Sequence, residues 1–440
     1  MSTQRARTLL AVTLAALAAP LPAAAEPLAV EEAIRAAWDG NPGLKASSLA
    51  VEAARQDAHR ARDARLPSLR LEARGVRTDE PMMAFGLKLD QGRISSADFD
   101  PAKLNDPAPV AGFGAGATLS VPLYLGGRLV AGERAAGRVA EAEAADDLRR
   151  RQEMAAAVVE AYFGAQAAEQ GIRYAGDELA HARETERFVR ERNGQGLLLD
   201  ADVDRTVAFR AQAEAELATA RRRSDSARSA LALLTGRPGD SALSTPLEAE
   251  PPPSGGGDVT NRPDVLAAEL RREAAEAGVE VARGSLLPAL FAQASAETMR
   301  TTDLRDGARW TTLGLVLRWD LSMGDLDASR AAAARARAAE LAVEWRERQA
   351  SREADEARGA IEAADARVKA AREAVTASES ARQLREARHR EGLLPLTDVL
   401  DAEASLAGAR ALLLASQLEA RLARASLALA RNQPIEGMMP

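Results

Sequence analysis

The sequence predicts a mainly α protein with a small β part, organised as duplicated long helical hairpins. Three observations predict this fold class. Two stretches of about 68 residues contain no proline, two glycine turns interrupt the helical pattern in the same way, and the landmarks of the first half recur in order in the second. At 1.5 Å per residue, each proline-free stretch makes a helix of about 100 Å, which an ordinary globular domain does not need.

The chain begins with a segment typical of a secretory signal, residues 1–25. Two arginines precede an apolar run from Thr8 to Leu21, and a small-residue cleavage site follows, ending at Ala25. Beyond the signal, no apolar run of about 18 residues predicts a transmembrane helix. We therefore expect the mature protein to be periplasmic, secreted, or inserted in an outer membrane through β-strands.

Composition argues against several classes of function. The formal net charge is -7, and loss of the signal arginines makes the mature chain more acidic, which argues against a nucleic-acid partner. The chain has no cysteine, so it forms neither a disulfide nor a lipid anchor on an N-terminal cysteine. Its three histidines are scattered, and no motif frames a catalytic nucleophile. We predict no catalytic residue, no metal site, no cofactor and no enzyme activity.

The repeat divides the mature chain into two copies. Residues 26–237 form the first copy, 238–258 a linker around the PPPSGGG break, and 259–440 the second copy. Each copy has the same plan of helix, two strands, very long helix, glycine turn and helix. Within the second long helix, Ile361, Val368 and Val375 recur every seventh residue, as in a coiled-coil seam.

The predicted strands alternate apolar and polar residues. The alternating apolar sets are Leu69, Leu71 and Ala73; Phe113, Ala115, Ala117, Leu119, Val121 and Leu123; and Leu313, Leu315, Leu317, Trp319 and Leu321. This period suits strands that cross hydrocarbon in about 9 to 11 residues, although half-buried strands of a soluble sandwich have it too. The Asp- and Pro-rich stretch from Asp79 to Val110 predicts an extracellular loop, and the matching loop of the second copy is short.

Four strands cannot close a barrel alone. In lipid, an open sheet edge would leave backbone hydrogen-bonding groups unsatisfied. If the strands lie in a membrane, we therefore expect several identical chains to complete the structure by symmetry.

The motifs LAVEEAIRAAWDGNPGL, VPLYLGG, QGLLLDADV and EGLLPLTDVLDA carry a resemblance to a known family. With them, the chain resembles the TolC family of outer-membrane efflux proteins over nearly its whole mature length. The resemblance implies a homotrimer whose twelve strands form one transmembrane β-barrel in outer-membrane lipid. Below it, a trimeric α-barrel would form a tunnel that projects into the periplasm.

The resemblance also implies a function. The trimer would be the passive exit duct of a tripartite efflux or type I secretion system, opened by a periplasmic adaptor, or membrane fusion protein. The adaptor would connect the duct to an inner-membrane RND, ABC or MFS pump. The alternative is a soluble periplasmic coiled-coil scaffold or adaptor, which would use long helices without a barrel. The exported cargo is not encoded in these motifs.

Three sets of site residues follow. Asp398 and Asp401 lie three apart on one helical face, and the resemblance makes them the periplasmic gate; the alternative is that acids in a first helical turn complement the helix dipole. The adaptor-docking tips are Gly196 with Leu197 and Gly392 with Leu393; the alternative is plain turn chemistry, which explains the glycines only.

The third set is a latch between the two tips. Leu394 stands where the best-known family member has a basic latch residue, which predicts a weaker latch in this chain. An Asp202 to His389 hydrogen bond would replace it, and the alternative is a solvated histidine between Arg388 and Arg390.

Overall fold

The computed structural model describes residues 27–248, 258–438 and 440. The predicted signal lies outside the described residues, and so do residues 249–257 of the predicted linker. Two compact units divide the described residues: those within Met1–Ser48, Asp147–Pro263 and Glu347–Pro440 form one, and Leu49–Asp146 with Asp264–Arg346 form the other. We call them the helical unit and the sheet unit.

The described residues form nine α-helices, two short 3-10 helices and four strands. The helices are α1 (Val30–Gly40), α2 (Pro42–Asp63), α3 (Pro81–Asp90), α4 (Pro101–Asn105), α5 (Arg128–Gly194), α6 (Asp200–Thr235), α7 (Pro263–Gly284), α8 (Met323–Arg390) and α9 (Leu396–Ala430). The strands are β1 (Ser68–Thr78), β2 (Val110–Leu125), β3 (Ala289–Arg300) and β4 (Gly307–Arg318), and the 3-10 helices are Ser96–Phe99 and Val259–Asn261.

The mainly α fold class with a small β part is confirmed. Helices α5 and α8 contain 67 and 68 residues, which agrees with the two proline-free stretches. From α7 to α9 the order is helix, two strands, long helix and helix; from α1 to α6 the same elements occur with a second helix at the start and α3 and α4 between the strands. No described helix has a stretch of 18 residues apolar enough to cross a membrane.

The sheet unit contains one antiparallel sheet in the order β1-β2-β3-β4. The register places Leu71 opposite Ala117, Ala117 opposite Ala296, and Ala294 opposite Leu313, so the predicted alternation produces one continuous apolar face. This face is solvent-accessible, and Leu313 is 85% exposed. The opposite face is polar and contains an Arg74–Glu297 ion pair at 3.8 Å. The last two residues of the predicted alternation, Trp319 and Leu321, lie beyond the end of β4.

The stretch between β1 and β2 is more ordered than the loop that its Asp and Pro content predicts. Glu80 caps α3 by accepting from the backbone N–H groups of Met82 and Met83, and proline follows it in the first turn, where the missing N–H costs nothing. The helix packs Ala84 and Leu87 against residues of the sheet. The loop prediction rests on Asp and Pro content alone and does not include the helix start that Glu80 and Pro81 form.

The core of the helical unit lies where the first repeat begins and both repeats end. Tyr162 and Phe163 of α5 are fully buried beside α1, and the Tyr162 hydroxyl donates to Leu28 O at 2.7 Å and accepts from Thr245 N at 2.9 Å. These bonds attach the segment before α1 and the segment after α6 to the long helix. Two residues of the predicted coiled-coil seam pack as expected, because Ile361 is buried with Val368 packed against its cluster, whereas Val375 is not part of that cluster.

Candidate functional site

Both tips of the helical unit are Schellman caps with glycine in the left-handed conformation. Gly196 has φ 76°, and Leu197 N–H donates back to Arg192 O at 3.0 Å. Gly392 has φ 78°, and Leu393 N–H makes the corresponding bond at 2.9 Å. Only glycine adopts this conformation without strain, so the two glycines fix where α5 and α8 end.

The residue after each glycine is an exposed leucine. Leu197 is 58% exposed and Leu393 is 67% exposed. In many Schellman caps this position packs against the last helical turn, but here that turn presents Arg192 and Arg388. The leucines therefore remain accessible, while Leu198 is half-buried. Turn chemistry requires the glycines and does not explain exposed leucines at both tips.

One side chain closes each turn. In the first tip, Asn193 Nδ2 donates to Leu198 O at 2.9 Å. In the second tip, His389 Nδ1 lies 2.7 Å from Leu394 O. A carbonyl only accepts, so Nδ1 carries the proton in this bond. His389 is 9% exposed, which rules out the solvated histidine considered from the sequence.

The predicted Asp202 to His389 bond does not occur between these two described residues. The Asp202 carboxylate accepts from Leu199 N at 3.4 Å, and His389 binds its own turn. Instead, the His389 ring makes an edge contact with Phe188 of α5, with centroids 5.9 Å apart. The connection from the second tip therefore runs to the end of α5 and not to the start of α6.

Charged groups add to this connection between α5 and α8. Arg390 pairs with Glu184 at 3.2 Å, and Arg192 donates to Arg390 O at 3.4 Å while its guanidinium lies over the Phe188 ring. The Arg390 and Glu184 side chains are about half-exposed, so each contact is weak alone. Together these contacts join the two hairpins of one chain near the tips.

The predicted gate carboxylates lie at the start of α9. Asp398 is half-buried in the first turn, and Asp401 is exposed one turn later. Neither carboxylate has a hydrogen-bond or ion-pair partner among the described residues. The helix dipole favours an acid at Asp398, but it does not account for Asp401, which lies beyond the first turn.

Asp398 occupies the same position in the repeat as Asp202, yet the two side chains differ in what they bind. Asp202 closes a cap by accepting from the N–H of Leu199, the residue before α6. The residue before α9 is Pro395, which has no N–H, so Asp398 makes no such cap. The proline thus leaves the Asp398 carboxylate available.

A groove that the sequence did not predict includes Asp401, one of the two predicted gate residues, in the helical unit. It is bounded by α5, α6 and α9 and has a volume of about 690 Å³. Half of its lining residues are alanine and leucine, Tyr174 and Phe209 are its aromatic members, and Asp401 also lines it. The acidic members come from three helices, so no local motif in the sequence indicates them.

The groove surrounds an unusual carboxyl group, Glu178. Burial raises its pKa, and the nearby carboxylates of Glu216 and Glu403 raise it further, against the opposing effect of Arg410. Glu178 has no hydrogen-bond or ion-pair partner among the described residues. Arg410 instead stacks on Tyr174, with 5.2 Å from its guanidinium carbon to the ring centroid.

Glu186, two turns nearer the tip, shows the opposite behaviour. Burial opposes its ionisation, but hydrogen bonds from Arg190 and Arg210 outweigh that effect and lower its pKa. This carboxylate joins α5 to α6. Within the described residues, no group of three or more His, Cys, Asp or Glu side chains is placed to hold a metal ion.

The chain is similar to several solved outer-membrane channels. It is 22% identical to VceC from Vibrio cholerae, with TM-score 0.75, covering 92% of this chain and 96% of that one. It is 17% identical to CmeC from Campylobacter jejuni, with TM-score 0.81, covering 93% of this chain and 86% of that one. It is 24% identical to MtrE from Neisseria gonorrhoeae, with TM-score 0.76, covering 94% of this chain and 91% of that one. At these identities the likeness establishes the fold. No curated protein matches the sequence.

A family model gives the assignment. The model described as outer membrane efflux protein matches residues 33–237 and 259–433, most of the chain. The predicted TolC-family resemblance and the outer-membrane localisation are therefore confirmed, and the periplasmic scaffold loses its support. The chain belongs to the outer membrane efflux protein family.

Proposed function

We propose that three copies of this chain form a passive exit duct that a periplasmic adaptor opens by docking on the tips. The observation that carries this proposal is the pair of exposed leucines, each fixed next to a left-handed glycine at the end of a long helix. Such paired apolar points on otherwise charged helices suit contact with a helical partner. The adaptor would join the duct to an RND, ABC or MFS pump, in an efflux or type I secretion system.

The sheet supports the homotrimer. Strands β1 and β4 are the two edges of the four-stranded sheet, and within the described residues neither has a partner on its outer side. Pairing of β4 in one copy with β1 in the next would satisfy both edges. Three copies would then supply twelve strands, with the apolar face toward outer-membrane lipid.

The gate proposal concerns Asp398 and Asp401. In a trimer the pair contributes six carboxylates, and at least Asp398 is free because Pro395 prevents its capping role. A ring of like charges in a narrow passage attracts and binds multivalent cations. These residues would therefore set the cation sensitivity of the closed duct.

Docking is tested by crosslinking. Because the chain has no cysteine, Gln195→Cys introduces a single thiol at the first tip, which can be crosslinked to a purified adaptor. We expect Leu197→Asp with Leu393→Asp to reduce crosslinking at least tenfold, since each change places a charge in the apolar contact. Leu233→Asp is the matched control, because Leu233 is also exposed, at 79%, but lies near the far end of α6. Trimers that still crosslink fully with both tip leucines replaced would contradict the docking proposal.

The gate is tested by conductance of the purified trimer in a planar bilayer. We expect hexamminecobalt(III) to block the wild type and Asp398→Ala with Asp401→Ala to weaken this block about tenfold. Glu362→Ala with Glu373→Ala removes two exposed carboxylates of α8 and should leave the block unchanged. If the gate variant and the control variant behaved alike, the gate assignment would be wrong.

A further inference from the structure

The groove bounded by α5, α6 and α9 has the size of a small-molecule site. Its volume of about 690 Å³ is within the range of about 300 to 1,000 Å³ found for such sites. Alanine and leucine make up half of its lining residues, and within it Gly171 faces Leu414, with 3.9 Å from an ideal Cβ on Gly171 to the leucine methyl group. A continuous apolar surface of this kind accommodates an aromatic or alkyl body.

The polar groups of the groove are mainly acidic. Four carboxylates line it, those of Glu178, Glu216, Asp401 and Glu403, against two guanidinium groups, those of Arg223 and Arg410, and His181. Glu403 is held by Arg382 at 3.2 Å, and Arg410 contacts Glu379 at 3.5 Å. The other three carboxylates have no hydrogen-bond or ion-pair partner among the described residues.

The aromatic wall of the groove already binds a cation. The Arg410 guanidinium lies over Tyr174, which presents the negative face of its ring toward this side of the helix. Glu178, one turn further along α5, is the half-buried acid whose pKa is raised by burial and by neighbouring carboxylates. A bound positive charge would relieve that repulsion, whereas an anion would increase it.

We propose that this groove binds lipophilic monocations, with the apolar body against the alanine and leucine walls and the positive charge near Glu178 and Glu216. A metal ion fits less well, because no three ligating side chains of the described residues converge. The proposal rests on the proposed function only for its location in the duct, since Asp401 belongs to the proposed gate. Cationic cargo would then pause beside the gate before it leaves the cell.

Two ions of nearly equal shape and opposite charge test the chemistry. Binding of tetraphenylphosphonium and of tetraphenylborate is measured by equilibrium dialysis with the full-length trimer in nanodiscs of zwitterionic lipid, after subtraction of empty nanodiscs. We expect the trimer to bind the phosphonium and not the borate. Equal binding of both ions would overturn the proposal, because it would indicate apolar partitioning alone.

Variants locate the site. We expect Glu178→Gln with Glu216→Gln to raise the Kd for tetraphenylphosphonium about tenfold, since the two nearest charges are lost while the side-chain shapes remain. Glu362→Gln with Glu373→Gln changes the net charge equally on α8, outside the groove, and should bind like the wild type. Equal Kd values for the groove variant and this control would also overturn the proposal.

A single thiol reports access to the groove. Ala411 is exposed and lines the groove, so we expect Ala411→Cys in the trimer to react about tenfold faster with a cationic methanethiosulfonate than with an anionic one. Tetraphenylphosphonium should slow that reaction. A thiol that does not react at all would mean that a neighbouring copy covers the groove, and the proposal would fail.

Conductance of the same samples separates this inference from the proposed function. A trimer that conducts ions but does not bind tetraphenylphosphonium would support the proposed duct and overturn the proposed binding site. A trimer that binds the phosphonium at Glu178 and Glu216 but does not conduct ions would support the proposed binding site and overturn the proposed duct.

Discussion

Asn193 and His389 occupy the same position in the two copies of the repeat, and each binds the carbonyl oxygen five residues ahead, across its own turn. An amide and an imidazole thus do the same structural work at the two tips. Their other contacts differ, since Asn193 Nδ2 also donates to Asp200 Oδ1 at 3.0 Å, whereas the His389 ring packs against Phe188 of the other hairpin.

This equivalence predicts how the second tip responds to substitution. His389→Ala removes both the carbonyl bond and the ring contact, and we expect it to destabilise the turn by about 1 to 2 kcal/mol. His389→Asn retains a donor of the kind that Asn193 supplies and should recover about half of that loss. Amide hydrogen exchange around Leu393 measures local opening of the turn, and identical exchange in the two variants would show that the carbonyl bond contributes little.

Two glutamates of α5 should have opposite effects on stability at neutral pH. The pKa of Glu178 is raised above the usual 4.5, so its favourable contribution is present at low pH and is lost as pH rises through the folded-state pKa. The pKa of Glu186 is lowered, so its contribution is present above 4.5 and is lost as pH falls through the folded-state pKa.

We therefore expect Glu178→Gln to raise the melting temperature at pH 7 and Glu186→Gln to lower it. Both differences should shrink as the pH is lowered to about 3.5, where carboxyl groups protonate in the unfolded chain. Circular dichroism melts of the three proteins at the two pH values provide the comparison. Shifts of the same sign at pH 7 would contradict the assigned environments.

Two glycines allow a prediction about backbone conformation. Gly171→Ala should stabilise α5 by about 1 kcal/mol, because alanine is the better helix former and its methyl group meets Leu414 at ordinary contact distance. Gly196→Ala should destabilise by about 1 to 2 kcal/mol, because the position has φ 76° although nothing lies within 4 Å of the added Cβ. Urea unfolding of the two variants tests the opposite signs.

The Arg390–Glu184 pair should contribute to closure of the duct. Replacing Arg390 with Glu creates repulsion between α5 and α8, so we expect the open probability in bilayer recordings to rise. The rise should be only a few-fold, because an exposed ion pair contributes about 1 kcal/mol or less. The charge-swapped double variant, Arg390→Glu with Glu184→Arg, should restore most of the closed state. Failure of the swap to restore it would assign the effect to Arg390's contact with Glu386 instead.

Much of the fold could be predicted because its signals are local. A proline-free stretch ended by a glycine specifies where α5 and α8 end, and period-two alternation specifies which strand residues share a face. The helix α3 was missed although Glu80 and Pro81 form a recognisable start, because the surrounding Asp and Pro residues are equally typical of a loop.

In the candidate site, too, the features with local sequence signals could be predicted and those that depend on packing could not. The exposed leucines could be predicted, since Gly-Leu at a turn is visible in the sequence. The groove could not, because Glu178, Glu216 and Asp401 lie on three helices whose relative register depends on packing. The partner of His389 was also mistaken, since a bond to a backbone carbonyl in its own turn competes with any side chain of the other hairpin.

Pro395 shows how duplication allowed the two copies to take different roles. When the residue before the helix has an N–H, as Leu199 has, that N–H donates to the acid in the first turn, Asp202. Pro395 has no N–H, so Asp398 makes no such bond. The uncharged residue at position 395 therefore determines whether the Asp398 carboxylate is used in a helix cap or remains available at the second tip. Pro395→Ser would offer Asp398 a donor and draw that acid into the helix cap, changing the field at the tip while the formal charge of the chain stays the same.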